Sequence, residues 1–203
     1  EVTSEGIELT RDKVQGLVIK PCEGLCAADL FNPENPRDKD WYVANVLNPM
    51  IARGEIYDGT SSKFDDRKLR LSSTTIRNGA LYVHFGATHY KAFQADTKRT
   101  PKEREQMYKR GLREFRDKWA FFSRAPGIEG LVVSSEGHIW LGEREGTTVD
   151  DGKLNAISGH MDYQKDVKKV DFEYELLREA REELGIIEGE IRKLTFVGGY
   201  LHP

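Results

Sequence analysis

The sequence predicts an α+β fold: a β-rich N-terminal region over residues 1–125, carrying a connecting helix at about 101–122, and a C-terminal half over 126–203 that mixes strands with a further helix. Three observations predict it. Asn78-Gly79 stands between the β-favouring runs STTIR and ALYVHF, and such a pair supplies the positive φ angles of a type I′ hairpin turn. Thr100-Pro101-Lys102-Glu103 is a capping box with proline at the first helical position, and Tyr108, Leu112, Phe115, Trp119 and Phe122 then recur at helical spacing. DFEYELLREAREELG, residues 171–185, opens on an N-capping Asp171, favours helix throughout and closes on Gly185 at the C′ position.

In chain order, GLVIK (16–20), WYVANVL (41–47) and KLRLSSTTIRNGALYVHFG (68–86) read as strands, the last as the hairpin. FNPENPRDKD (31–40) is a loop by its Pro and Asn content. SRAPG (123–127) breaks the long helix and marks the domain boundary. A second hairpin is expected from GIEGLVVSS, a turn at Glu136-Gly137, and HIWLGER; GTTVDDGK is a loop before LNAISGHMD, and LTFVGGYLHP reads as one final strand.

Composition narrows the function classes. With 38% hydrophobic and 32% charged residues, the chain has the make-up of a soluble globular protein. No run approaches the ~18 apolar residues of a membrane span. The opening EVTSEGIELT lacks a basic stretch followed by an apolar core, so no signal peptide is expected and the cytoplasm is the expected compartment. Cys22 and Cys26 have no second Cys/His pair at zinc spacing and read as free thiols. A net charge of −3 is too small to suggest a polyanion partner by itself and nucleic acid is not the expected partner, so any electrostatic signal must be local.

Two local asymmetries stand out. From Lys98 to Arg124 ten Lys/Arg face four Asp/Glu; with no aromatic residues interleaved on that basic side it reads as a solvated face, a site for a phosphate-bearing ligand or nucleic acid being the alternative. From Asp171 to Leu184 six acidic residues face two basic ones. Phe172, Leu176, Ala180 and Leu184 line one side of the predicted helix, while Glu175, Glu179, Glu182 and Glu183 gather on an adjacent side, Glu182 and Glu183 away from the core. Like charges one turn apart cost roughly 0.2–0.5 kcal/mol per pair in an isolated helix. An external hard cation, Mg²⁺ or Mn²⁺, would relieve them; a solvated Glu-rich face is the alternative.

The order of these residues carries more. Arg178-Glu179-Ala180-Arg181-Glu182-Glu183-Leu184-Gly185-Ile186 resembles the second half of the Nudix box, G-x5-E-x7-R-E-U-x-E-E-x-G-U, where U is a bulky apolar residue; Ala180 is small for its place. The first half departs from the pattern. Taking Gly159 of SGHMD as the box glycine, Arg178 follows it by 19 positions where the pattern has 14, so five residues are inserted and the loop QKDVKK absorbs them. Ser158 stands where a second glycine is usual, and the outlying glutamate must come from a shifted position such as Asp171 or Glu173, or be missing. GATHYKAFQADTKR (86–99) is faintly similar to a segment of the subgroup acting on UDP-sugars.

The resemblance implies a Nudix-type α/β/α sandwich with a mixed sheet. It implies a Mg²⁺- or Mn²⁺-dependent pyrophosphohydrolase acting on a nucleoside diphosphate linked to another group: a nucleotide sugar such as a UDP-sugar, ADP-ribose, or a dinucleotide. Glu182 and Glu183 would be principal metal ligands, Glu179 a further ligand or base, and Arg178 the residue orienting a neighbouring carboxylate. Gly159 and His160 would supply backbone near the metal, and Arg144 in LGEREG is a candidate phosphate contact, an ordinary surface arginine being the alternative. Few residues follow the box, so the domain is expected to be C-terminally incomplete or to borrow strands from the N-terminal region or from the second subunit of a homodimer. The competing reading is a Nudix-fold binding module, for a nucleotide or a protein, that has lost turnover.

Overall fold

A computed structural model describes residues 18–19, 41–57, 67–77, 80–143, 152–163 and 170–194. They form two compact units: the described residues between 15 and 126, joined by 162–163 and 170, make the first, and those of 127–161 and 171–194 make the second. The architecture is α+β, with small sheets that are antiparallel apart from one parallel pairing. Among the described residues no helix is long and apolar enough to cross a membrane.

In the first unit β1 (Val18–Ile19) runs parallel to β3 (Ala80–His89). A π-helical stretch Val43–Leu47 then continues into α1 (Asn48–Ala52). This overturns the strand expected at 41–47. The run is rich in aromatic and β-branched residues, but Tyr42, Leu47, Met50 and Ile56 are buried together with Ala92, Ala95, Ala120 and Phe121, and that packing outweighs local β preference. Pro49 has no N–H to give the preceding turn, and the wide π turn ahead of it lets the helix proceed.

The hairpin expected around residue 78 is present. β2 (Arg67–Arg77) pairs antiparallel with β3 (Ala80–His89) in a register that closes on Arg77 opposite Ala80; residues 78 and 79 lie outside the described ones. The register shifts between Leu71 and Ser73, leaving Ser72 as a bulge whose carbonyl accepts from Arg124 Nη1 at 3.3 Å. α2 (Tyr90–Lys98), which the sequence reading did not anticipate, follows directly and buries Ala92, Gln94 and Ala95.

α3 (Pro101–Phe115) carries the full capping box: Thr100 Oγ1 accepts from Glu103 N–H, and Glu103 Oε2 accepts from Thr100 N–H at 2.7 Å. It does not run to 122. Arg116 adopts a left-handed conformation (φ 56°), its N–H donates to Leu112 O at 3.1 Å, and the chain reverses. Tyr108, Trp119 and Phe122 still meet, with Tyr108 stacked on Phe122 and edge-on to Trp119, but they do so across the reversal and not along one helix. Leu112, expected in the stripe, is 53% exposed. Because a non-glycine residue in this conformation is strained by about 1–2 kcal/mol, Arg116→Gly is expected to raise stability by about 1 kcal/mol. A lowered denaturation midpoint would show that the arginine side chain does more than the backbone loses.

The segment after the reversal is held by two buried arginines. Arg70, fully buried, donates from Nε to Phe122 O at 3.0 Å and from Nη2 to Trp119 O at 2.8 Å. Arg99 donates to Phe121 O and to the Tyr42 hydroxyl, both at 2.8 Å, and pairs with Asp96 at 2.9 Å. Asp96 also accepts from Ser123 N–H at 2.6 Å. Burial pushes the Asp96 carboxyl above its usual range, against the pull of Arg99.

In the second unit β4 (Gly127–Gly130) pairs antiparallel with β9 (Ile157–His160). β5 (Val132–Val133) and β6 (Ile139–Trp140) form the second expected hairpin, whose turn has Gly137 at φ 86° and Ser134 N–H donating to His138 O at 2.8 Å. β7 (Gly142–Glu143) pairs with β8 (Leu154–Asn155). α4 (Phe172–Leu184) then runs from Asp171, whose carboxylate accepts from Glu173 and Tyr174 N–H, to Gly185 at φ 71°, as expected. A short 3-10 turn, Glu188–Glu190, follows. The loop 164–169 and the strand expected from LTFVGGYLHP beyond Leu194 lie outside the described residues.

Candidate functional site

The site is built where α4 meets β9. α4 packs against both β4 and β9 within the second unit, and its most buried positions are Glu175, Glu179 and Ala180, the glutamates being 7% and 8% exposed. The four glutamates expected to gather on one side are therefore divided between core and solvent. Glu182 and Glu183 are exposed, as expected; Glu175 and Glu179 point inward.

Two features make that burial tolerable. Arg178 supplies an internal cation: it donates to Glu175 Oε2 at 3.1 Å, to Glu179 Oε1 at 2.6 Å and, from its other terminal nitrogen, to Glu182 Oε2 at 2.9 Å. Glu175 and Glu182 lie three residues before it and four after, within reach of one guanidinium on a helix. The like-charge repulsion read from the sequence is thus largely answered within the helix. Burial opposes the charge on Arg178, but Glu179, Glu175 and Glu182 together hold it firmly protonated. Burial likewise raises the Glu179 carboxyl above its ordinary range, Arg178 pulling it down and Glu182 and Glu183 pushing it up.

The second feature is Gly159. A Cβ built on it would run into the Glu179 carboxylate, so the close approach of this side chain to β9 requires a residue without one. Gly159→Ala is expected to push the Glu179 carboxylate aside and to destabilise the second unit by about 0.5–1.5 kcal/mol, the range for driving a side chain off its rotamer. An unchanged urea midpoint would show that Glu179 can move aside freely. Glu183 meets the same strand: its Oε2 accepts from Ser158 N–H at 3.2 Å.

The structure thereby brings together Arg178, Glu179, Glu182 and Glu183 on α4 and Gly159 on β9, with His160 the next residue, opposite Gly127 in the ladder. Arg144 lies outside the described residues. Neither stand-in for the outlying glutamate joins the group. Asp171 is the N-cap, about 12 Å along the axis from Glu179 at 1.5 Å per residue, and Glu173 is exposed in the first turn. Among the described residues no three His, Cys, Asp or Glu converge as an ion cage. What does converge on these carboxylates is the Arg178 guanidinium.

Sequence reasoning did not single out Asn155, whose Nδ2 donates to Ser158 Oγ at 2.8 Å. The signal that pointed its way was the serine in place of a second glycine. Compared with models of known families and with curated protein sequences, the chain matches none.

Proposed function

We propose that the chain is a Nudix-type hydrolase, with the acidic helix and the β9 turn forming the centre of an α/β/α sandwich that cleaves a nucleoside diphosphate linked to another group. The observation that carries the reading is the meeting of the two halves of the motif. Ser158-Gly159 and the Arg178 to Glu183 stretch are separated by an enlarged insertion, yet Glu179 lies against Gly159 and Ser158 N–H donates to Glu183.

Hard carboxylate oxygens are the donors a divalent cation takes, and these would have to turn from Arg178 toward one another to hold it. Glu182 and Glu183 are exposed carboxylates, each with acceptor sites beyond those used by the hydrogen bond described for it, and Glu179 sits in a cradle that any Cβ at 159 would fill. Glu182, Glu183 and Glu179 would hold Mg²⁺ or Mn²⁺, which supplies neutralisation of diphosphate charge and an acidified water. Glu179 is the further ligand or the base that takes the water's proton, and Arg178 fixes the carboxylates on either side of it. The substrate class is a nucleotide sugar such as a UDP-sugar, ADP-ribose or a dinucleotide.

The test is a screen of these compounds with Mg²⁺ or Mn²⁺, scored by release of a nucleoside monophosphate; turnover of none of them would sink the reading. One observation favours a second reading, a binding module without turnover. Arg178 already satisfies three of the carboxylates that an ion would otherwise neutralise. Nucleotide binding without product release in the same screen is the outcome it expects.

A further inference from the structure

Glu183 is held by a backbone amide that is itself held by a side chain. Asn155 ends β8, paired there with β7 through Leu154↔Glu143 and Asn155↔Gly142. Only Ala156 and Ile157, both buried, separate it from Ser158. The Asn155 Nδ2 to Ser158 Oγ bond of 2.8 Å spans this short link and ties the end of one ladder to the start of the next. The amide it steadies is the one that donates to Glu183 Oε2 at 3.2 Å, 25 residues further on.

An exposed glutamate must immobilise its side-chain torsions when it takes up an ion, and a partner that orients it beforehand lowers that entropy cost. We infer that Asn155 and Ser158 are positioning residues that act through the Ser158 amide to orient Glu183 for a divalent cation. The inference rests on the metal-dependent reading above and adds to it a device built from residues outside the box pattern. A purely structural staple would lower the stability of the metal-free protein and leave ion affinity alone; an orienting device does the reverse.

The experiment titrates Mn²⁺ alone into the chain, following free Mn²⁺ by electron paramagnetic resonance, with thermal unfolding of the metal-free protein alongside. Asn155→Ala and Ser158→Ala are expected to weaken Mn²⁺ binding about 10-fold, the lower end of the range for outer-shell partners of metal ligands. Metal-free melting should be nearly unchanged, and Ser158→Thr, which keeps the oxygen, should bind as the wild type does. In a Glu183→Gln background, Asn155→Ala should add nothing further. If Ser158→Ala does not fold, that double variant decides. Wild-type Mn²⁺ affinity in Asn155→Ala and Ser158→Ala, with affinity lost in Glu183→Gln, overturns the positioning role and leaves the metal reading standing. No Mn²⁺ binding by the wild type, or wild-type affinity in both Glu182→Gln and Glu183→Gln, overturns the metal reading and the inference with it.

Discussion

Glu182→Gln or Glu183→Gln is expected, on the metal-dependent reading, to lower turnover of the diphosphate substrate by at least ~100-fold while leaving the fold intact, because each would weaken the hold on the cation that neutralises diphosphate charge and acidifies the attacking water. The structure sharpens the stability half of this expectation. Glu182 is an exposed partner of Arg178, and exposed pairs contribute about 0–1 kcal/mol. The amide oxygen of a glutamine at 183 can still accept from Ser158 N–H. Metal-free stability should therefore change by no more than about 0.5 kcal/mol, where sequence alone suggested slight stabilisation from relieved repulsion. Activity assays beside denaturant curves separate the outcomes. A large loss of stability would assign these residues to structure, and unchanged turnover would sink the hydrolase reading of the site.

Arg99→Ala is expected to destabilise the first unit by about 3–5 kcal/mol, the range for stripping one partner from a buried ion pair. It removes donors to Phe121 O and the Tyr42 hydroxyl and leaves the buried Asp96 without its cation. The pH dependence identifies the cause. The Asp96 carboxyl already titrates above its ordinary value, so its contribution to stability is present below the unfolded carboxylate pKa, about 3.9, and is lost as pH rises through the folded value. Without Arg99 the upward push of burial loses its largest opponent, and only the Ser123 hydrogen bonds and Arg70 still pull the carboxyl down. The deficit should be largest at pH 7 and shrink on acidification toward about pH 4. Adding Asp96→Asn should recover part of it at neutral pH, since a carboxamide oxygen can still accept from Ser123 N–H. A deficit independent of pH and unaffected by Asp96→Asn would assign the loss to the carbonyl and hydroxyl contacts alone.

Local signals were legible wherever the chemistry is local. Thr100 and Glu103 cap α3 reciprocally, Asp171 and Gly185 bound α4, and β2 and β3 pair on either side of the expected turn. The reading failed where distant packing decides. Residues 41–47 are helical because Tyr42 and Leu47 are claimed by a core assembled from α2 and the Ala120-Phe121 segment. α3 stops at Phe115 because Arg116 turns left-handed, which an arginine does not announce. For the candidate site, the helix and its glutamates were readable. That Glu175 and Glu179 face inward was not, since charge argues for solvent until Arg178 and Gly159 are seen beside them.

The first unit is discontinuous in sequence, and this bears on the order in which the chain can fold as it is made. Lys68 forms an ion pair with Asp162, and Tyr163 N–H donates to Arg67 O at 3.0 Å, so the β2 edge receives these partners only after residues 127–161 have been synthesised. At about 5–20 residues per second that interval lasts roughly 2–7 s. A nascent chain with residues up to 126 clear of the ribosome and 162 not yet emerged would hold the hairpin, the arginine-pinned segment and the aromatic core without these edge contacts.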